Sequence, residues 1–339
     1  MHGWGQSPCW VAHGFKGGED LRQLHLIIPT LNAGPLWASV IKGILAQDLH
    51  GHTGLDVTVV DSQSTDETAV LARQAGFTVH AIERKDFGHG STRQDALARL
   101  PQDAQWVIFM TQDAVLEDPK AFEALLKPFE NPKVGASFGR QLPHPNATWL
   151  SGQLRAFNYP LGERVTCFED RFALGLKAVF LSNSFAAYRV SAVKAVGGFS
   201  RTAILGEDML LAAKLLQAGD LIAYAPKAEV FHSHNDSVWQ EFQRYFDTGV
   251  MHEEEKSLLS AYGSVNPHGG LLLRHLFKQL LNLGAVDFVL NLSRIFTRLT
   301  IKFVAYHLGA LHRFLPLALK RKWSLSKNHW KEDQALGSP

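Results

Sequence analysis

Between residues 25 and 139 short apolar runs alternate with helix-period segments, and glycine, proline and capping residues fall at the joins. His25–Ile28 reads as a first strand stopped at Pro29, with Pro35 in the first turn of a helix running to about Gln47. Asp56–Val60 reads as a second strand. Ser62 to Thr68 supplies turn and cap residues for a helix ended by Gly76, and Thr78–Ile82 is a third strand. A Gly-rich loop follows, Asp86-Phe87-Gly88-His89-Gly90. Ser91 or Thr92 then caps a helix through Leu100, and Trp106–Met110 is a fourth strand. Repeated strand, crossover and strand units of this length predict an α/β fold with a parallel sheet covered by helices. A second block, from Val179 to His234, carries Gly206-Glu207-Asp208 opening a helix to Ala218. It continues with a strand near Leu221–Tyr224 and with His232-Ser233-His234. The last 70 residues read as helices with basic faces. The expected division is an N-terminal extension (1–23), an α/β domain (24–240) and a basic helical region (241–339).

Charge sharpens this picture. The net charge of +2 conceals 11 Lys/Arg against the single acid Asp287 between Leu271 and Lys331, a local balance of +10. With Phe296, Leu299, Phe303 and Leu311 spaced among the charges, the region suits either an anchor on an anionic membrane surface or a helical subdomain packed on the core. No nucleic-acid motif accompanies the charge, so no nucleic-acid partner is expected. No run reaches the roughly 18 apolar residues of a membrane-spanning helix. The first 20 residues lack an apolar run after a basic start, so no secretory signal is expected. The chain is expected to be cytosolic or to sit on a membrane surface. Cys9 and Cys167 lie far apart without a CxxC pair, which argues against a disulfide framework or a cysteine zinc site.

In open α/β sheets ligands bind beyond the carboxyl ends of the strands. That rule points to Thr30 and Asn32, Asp61 and Ser62, the Asp86–Gly90 loop, and Gln112-Asp113. Asp61 and its following serines offer hydrogen bonds to a base or ribose, or serve only as caps. Asp113, after a strongly apolar strand, places a carboxylate where a hard divalent cation with phosphate ligands would need one. Glu207 and Asp208 stand at a helix N-terminus, where the macrodipole alone favours acids. The chemical alternative is a general base acting on a sugar hydroxyl. His232 and His234, two apart, can ligate a metal from one side of a strand. The Gly88-His89-Gly90 loop matches neither the P-loop nor GxGxxG, which removes support from the common ATPase and dinucleotide readings.

As a set, Ile28-Pro29-Thr30-Leu31-Asn32, Val60-Asp61-Ser62-Gln63-Ser64-Thr65-Asp66, Phe109-Met110-Thr111-Gln112-Asp113-Ala114 and Gly206-Glu207-Asp208 resemble the inverting glycosyltransferases of family 2. Within that family, the segments beginning at Asp86, Gly139, Asn158 and Phe180 look like bacterial rhamnosyltransferases. The resemblance implies a GT-A fold, a Rossmann-like mixed sheet flanked by helices, followed by a C-terminal helical region. It also implies transfer of L-rhamnose from dTDP-L-rhamnose to a glycan or lipid-linked glycan in surface polysaccharide synthesis. The alternatives are a family 2 enzyme using a UDP- or GDP-sugar, a nucleotidyltransferase, or a non-catalytic sugar-nucleotide scaffold.

By the same resemblance Asp61 binds the nucleobase. Pro29, Thr30, Asn32, Ser62, Asp86, His89, Gly90, Gln112 and Arg140 line the nucleotide-sugar site, and Arg93 lies by the diphosphate. Asp113, with His234 and His232, holds Mg²⁺ or Mn²⁺. Asp208 is the base, with Glu207 as second candidate. One departure stands out: the family's acidic cluster is reduced to a single carboxylate in Gln112-Asp113-Ala114.

Overall fold

The computed structural model describes residues 22–49, 51–263 and 266–330, so nearly all of the expected N-terminal extension lies outside the described residues. Eight strands, β1 (Arg22–Thr30), β2 (His52–Asp61), β3 (Thr78–Ala81), β4 (Trp106–Met110), β5 (Val134–Leu142), β6 (Arg164–Thr166), β7 (Phe185–Arg189) and β8 (Leu221–Phe231), form one sheet. Their order is β3-β2-β1-β4-β7-β5-β8-β6. The first four predicted strands are β1 to β4 and run parallel, as expected, and the strand predicted near Leu221–Tyr224 is the first part of β8. The sheet as a whole is mixed, because β7 enters antiparallel between β4 and β5, and β6 closes the far edge antiparallel to β8. Strands β5 to β7 carried no clear alternation: β7 is buried on both faces, β5 is buried but broken by Gly, Ser, Arg and Gln, and β6 is a three-residue edge strand.

The helices are α1 (Trp37–Leu45), α2 (Thr68–Gln74), α3 (His89–Ala98), α4 (Ala121–Leu126), α5 (Trp149–Asn158), α6 (Arg171–Leu174), α7 (Val190–Ala195), α8 (Glu207–Gln217), α9 (Val238–Glu254), α10 (Lys256–Leu259), α11 (Asn266–Leu280), α12 (Ala285–Ala310) and α13 (Leu317–Trp323). Strand alternation divides the core between two layers. Leu24, Leu26 and Ile28 of β1 and Ile108 and Met110 of β4 pack with α1 and α4 on one face. Ile27, Val107 and Phe109 pack with α3, α7 and α8 on the other.

Two expectations are corrected locally. Pro29 does not stop β1; it pairs with Val60 one residue before the strand ends, where the β4 ladder has already finished at Ile27, a position at which a missing N–H is tolerated. The Gly88-His89-Gly90 segment is no loop, since Gly88 is the N-cap and His89 and Gly90 already belong to α3.

The C-terminal region continues the core. Helix α9 runs unbroken across residue 240, and Phe246, Val250, Ala305 and Trp330 join the same buried cluster as α8. Cys167, also buried, is disulfide-bonded, which corrects the expectation that the cysteines form no disulfide framework, and Cys9 lies outside the described residues. No described helix is long and apolar enough to cross a membrane.

Candidate active site

Helix α8 begins with Gly206 in the left-handed region (φ 72°), which turns Glu207 and Asp208 back toward the sheet. The two acids are handled differently. Glu207 is buried and its Oε1 sits 3.1 Å from the Arg93 guanidinium, also buried, while Asn183 Nδ2 donates to it at 2.9 Å. Burial alone would raise the Glu207 pKa, but the Arg93 charge and these bonds hold it below the ordinary value. Asp208 accepts from the Asn183 amide at 3.1 Å and from the Met209 amide at 2.8 Å, and no cation pairs with it among the described residues. Burial, and then the neighbouring Glu207 charge, push its pKa up to about 7. A carboxylate poised there is suited to take a proton at neutral pH. Asn183, itself fixed by the Tyr188 hydroxyl at 2.6 Å, thus sets both acids, a role that its place in a family-like segment did not signal.

Arg93 is therefore not the diphosphate ligand expected. Its guanidinium is enclosed, held by Glu207 and by the His89 carbonyl at 2.9 Å. Gly90 makes this packing possible, since a Cβ there would strike the Ser200 carbonyl and crowd Glu207. Arg140 is also corrected: it pairs with Glu229 across β5 and β8 at 2.6 Å and donates to the Tyr159 carbonyl. Neither arginine is placed to meet a ligand.

Asp113, His232 and His234 do come together, with donor atoms within 4.8 Å of one another. His232 Nε2 lies 3.4 Å and His234 Nδ1 3.7 Å from the Asp113 carboxylate. Burial works against the Asp113 charge, but the hydrogen bond and charge of His232, with His234 behind it, hold its pKa well below the usual carboxylate range. Burial lowers His234 to about 4, leaving it neutral at pH 7. On its other side His232 Nδ1 meets Gln141 Oε1 at 3.0 Å, and Gln141 Nε2 donates to Ser182 Oγ at 2.9 Å. An amide oxygen only accepts, so Nδ1 donates to Gln141, and Nε2 is the ring nitrogen that faces Asp113. With His234 Nδ1 and the Asp113 carboxylate it forms a donor set that fits a divalent cation, and Gln141 supplies the outer contact that metal-ligating histidines require.

At the strand ends, Asp61 accepts from Thr30 Oγ1 (3.0 Å), Ser64 Oγ (2.6 Å) and Ser64 N (2.9 Å). Of the roughly four acceptor positions of a carboxylate, these leave one for a ligand N–H. Asn32 is used within the loop: its backbone is left-handed (φ 47°), its Oδ1 receives Thr65 N at 2.8 Å, and it does not line the cleft as expected. Gln112 clamps the Leu31 backbone with both amide atoms, at 2.7 and 3.1 Å, a contact that no second carboxylate of a DxD cluster could make. Leu31, Ser62, Asp86 and His89 line a cleft of about 770 Å³. The buried Ser62 hydroxyl has no partner within the described residues. A second cavity of about 570 Å³ opens on the His234 and Met209 side. His234 and Met209, the neighbour of Asp208, line the second cavity, and His89, whose carbonyl holds Arg93, lines the first.

Residues 22–248 match the model of the family described as "Glycosyltransferase like family 2". The chain is 40% identical over 317 residues to the O-antigen chain rhamnosyltransferase RfbN of Salmonella typhimurium, covering 93% of this chain and 98% of the relative. It is 38% identical over 314 residues to the O-antigen chain rhamnosyltransferase WbaN of Salmonella anatum, covering 92% and 97%. Among solved structures, the mannosyltransferase PcManGT of Pyrobaculum calidifontis, in complex with GDP-Man and Mn²⁺, superposes with a TM-score of 0.58 at 18% identity over 88% of this chain and 89% of that one. TarS 1–349 of S. aureus gives 0.51 at 16% identity, covering 91% and 89%. The chain belongs to the family 2 glycosyltransferases.

Proposed function

We propose that the enzyme transfers L-rhamnose from dTDP-L-rhamnose, with inversion, to a hydroxyl of a lipid-linked glycan. The observation that carries this reading is the buried Asp208 carboxylate, its pKa pushed up to about 7, which accepts from Asn183 N next to Ser182, the partner of the Gln141 that holds His232 of the metal triad. The 770 Å³ cleft at the strand ends suits the nucleotide, and the cavity beside Met209 suits the acceptor. The rhamnosyl donor is supported by the two O-antigen relatives.

In the reaction Asp208 takes the proton of the acceptor hydroxyl as that oxygen attacks the anomeric carbon. The bond to the diphosphate breaks on the opposite face, and its electron pair leaves with the nucleotide. Glu207 stays ionised against Arg93, and its charge keeps Asp208 basic enough for the task. A divalent cation held by Asp113, His232 and His234 would neutralise charge on the departing diphosphate. Two imidazoles with one carboxylate suit Mn²⁺ better than the oxygen-seeking Mg²⁺.

The acceptor cavity supports an anionic, partly apolar substrate. Arg155, Lys177, Arg244, Arg298 and Lys302 face it against only Asp236 and Glu241, beside an apolar wall that includes Leu150, Leu154, Phe157 and Leu299. Next to it, α11 and α12 expose Phe277, Leu281, Phe296 and Phe303, a surface suited to an anionic bilayer. Incubation with dTDP-L-rhamnose, UDP-glucose or GDP-mannose and a diphosphate-linked lipid saccharide tests the reading. Rhamnosyl transfer with release of dTDP is expected; turnover only with another nucleotide sugar would reassign the donor.

A further inference from the structure

With Arg93 enclosed, the donor cleft must draw its positive charge from other residues. Four cationic side chains line it: Arg84 and Lys85 before α3, Arg201 before α8, and Lys327 from the C-terminal segment. Lys85 is paired with Glu83 and Arg201 with Asp95. Arg84 and Lys327 have no acidic partner among the described residues. The segment from Ser324 to Trp330 is far in sequence from the strand ends, yet its residues Leu325 to His329 line the same cleft as Leu31 and Ser62.

Its position is held at several points. Buried Asp247 of α9 accepts from Leu325 N at 2.9 Å and Ser326 N at 3.3 Å. Ser326 Oγ donates to the Ile204 carbonyl at 3.0 Å, and Asn328 Nδ2 donates to the Arg84 carbonyl at 2.6 Å. Trp330 is buried against Phe246. The strap is thus tied to α9, to the turn before α8 and to the turn before α3, leaving the Lys327 side chain exposed over the cleft. A fixed backbone with an unpaired ammonium facing a cleft is the arrangement that recognises a phosphate as a point charge.

We propose that this strap completes the donor site and that Lys327 binds the diphosphate of the sugar nucleotide, alongside Arg84. The inference rests on the nucleotide-sugar reading of the 770 Å³ cleft. It makes residues 324–330 part of the donor site and not of a membrane-facing tail.

Calorimetric titration of the full-length protein with dTDP, UDP and GDP in the presence of Mn²⁺ identifies the nucleotide that binds most tightly. That diphosphate and its nucleoside are then titrated into Lys327→Ala, Lys327→Arg and, as a control cation outside the cleft, Lys322→Ala. In Lys327→Ala the Kd of the diphosphate should rise about tenfold, with nucleoside affinity and melting temperature unchanged. Lys327→Arg should retain most of the affinity, and Lys322→Ala should match the wild type. A diphosphate Kd within about twofold of wild type in Lys327→Ala, or an equal loss for the nucleoside, would overturn the inference. If the wild type binds none of the three nucleotides, the nucleotide-sugar reading itself falls, and the strap's role falls with it.

Discussion

Replacing Asp208 by asparagine keeps the volume and the contact to the Asn183 amide but removes the proton acceptor. Turnover should fall about 10²- to 10⁴-fold while nucleotide affinity is retained, which separates chemistry from binding. In the wild type, kcat/KM should fall as pH drops below about 7, because protonation of the raised Asp208 carboxyl removes the base. A profile flat down to pH 5 would exclude Asp208. Glu207→Gln should act differently, leaving Arg93 buried without its counter-charge at a cost of about 3–5 kcal/mol, visible as a lowered Tm. At the metal triad, Gln141→Ala leaves His232 Nδ1 without its acceptor. Mn²⁺ affinity should drop about 10- to 100-fold with the three candidate ligands untouched.

Between elements, the contact that most constrains the C-terminal region is the crossing of α9 and α12. A Cβ on Gly249 would strike the Tyr306 carbonyl, and one on Gly309 the Phe246 carbonyl, so the two backbones touch where both helices carry glycine. This approach brings Arg298 and Lys302 of α12 onto Glu241 of α9, at 2.8 and 2.9 Å. Gly309→Ala should force the helices apart and destabilise the protein by about 1–3 kcal/mol. Thermal melting checks the loss. A rise in acceptor KM should accompany it, because Arg298 and Lys302 also line the acceptor cavity.

For the whole molecule, the basic region divides by direction. Arg298 and Lys302 face the acceptor cavity, Lys320 stacks over Trp330 and Lys327 lines the donor cleft. Arg274, Lys278, Arg294 and Arg313 remain exposed among the apolar residues of α11, α12 and the turn that follows. Each exposed cation near an anionic bilayer contributes about 1 kcal/mol, and salt should weaken it. Phe296→Asp with Phe303→Asp should abolish pelleting with anionic vesicles, while Arg298→Glu should leave pelleting intact and impair transfer. Equal vesicle binding by the phenylalanine variant would assign that face to another role.

Local pattern determined much of this protein. The first four strands and the helix opened by Gly206-Glu207-Asp208 were legible, because period-2 alternation, glycine and capping residues are written into adjacent residues, and Asp113, His232 and His234 stood out as candidates by strand-end position and spacing. The order of family segments carried the GT-A fold. Tertiary structure decided what depends on distant neighbours. Arg93 pairs with Glu207 across more than a hundred residues, which turns an expected phosphate ligand into an internal counter-charge and leaves Asp208 as the acid with the raised pKa. Arg140 is taken by Glu229 and Asn32 by its own loop for the same reason: a side chain's partner is set by packing, which composition and spacing do not encode. The C-terminal charges likewise read as one basic face in the sequence. Only the backbone contact of α9 with α12, and the Asp247 anchor under the strap, decided which of them face the two cavities and which face outward.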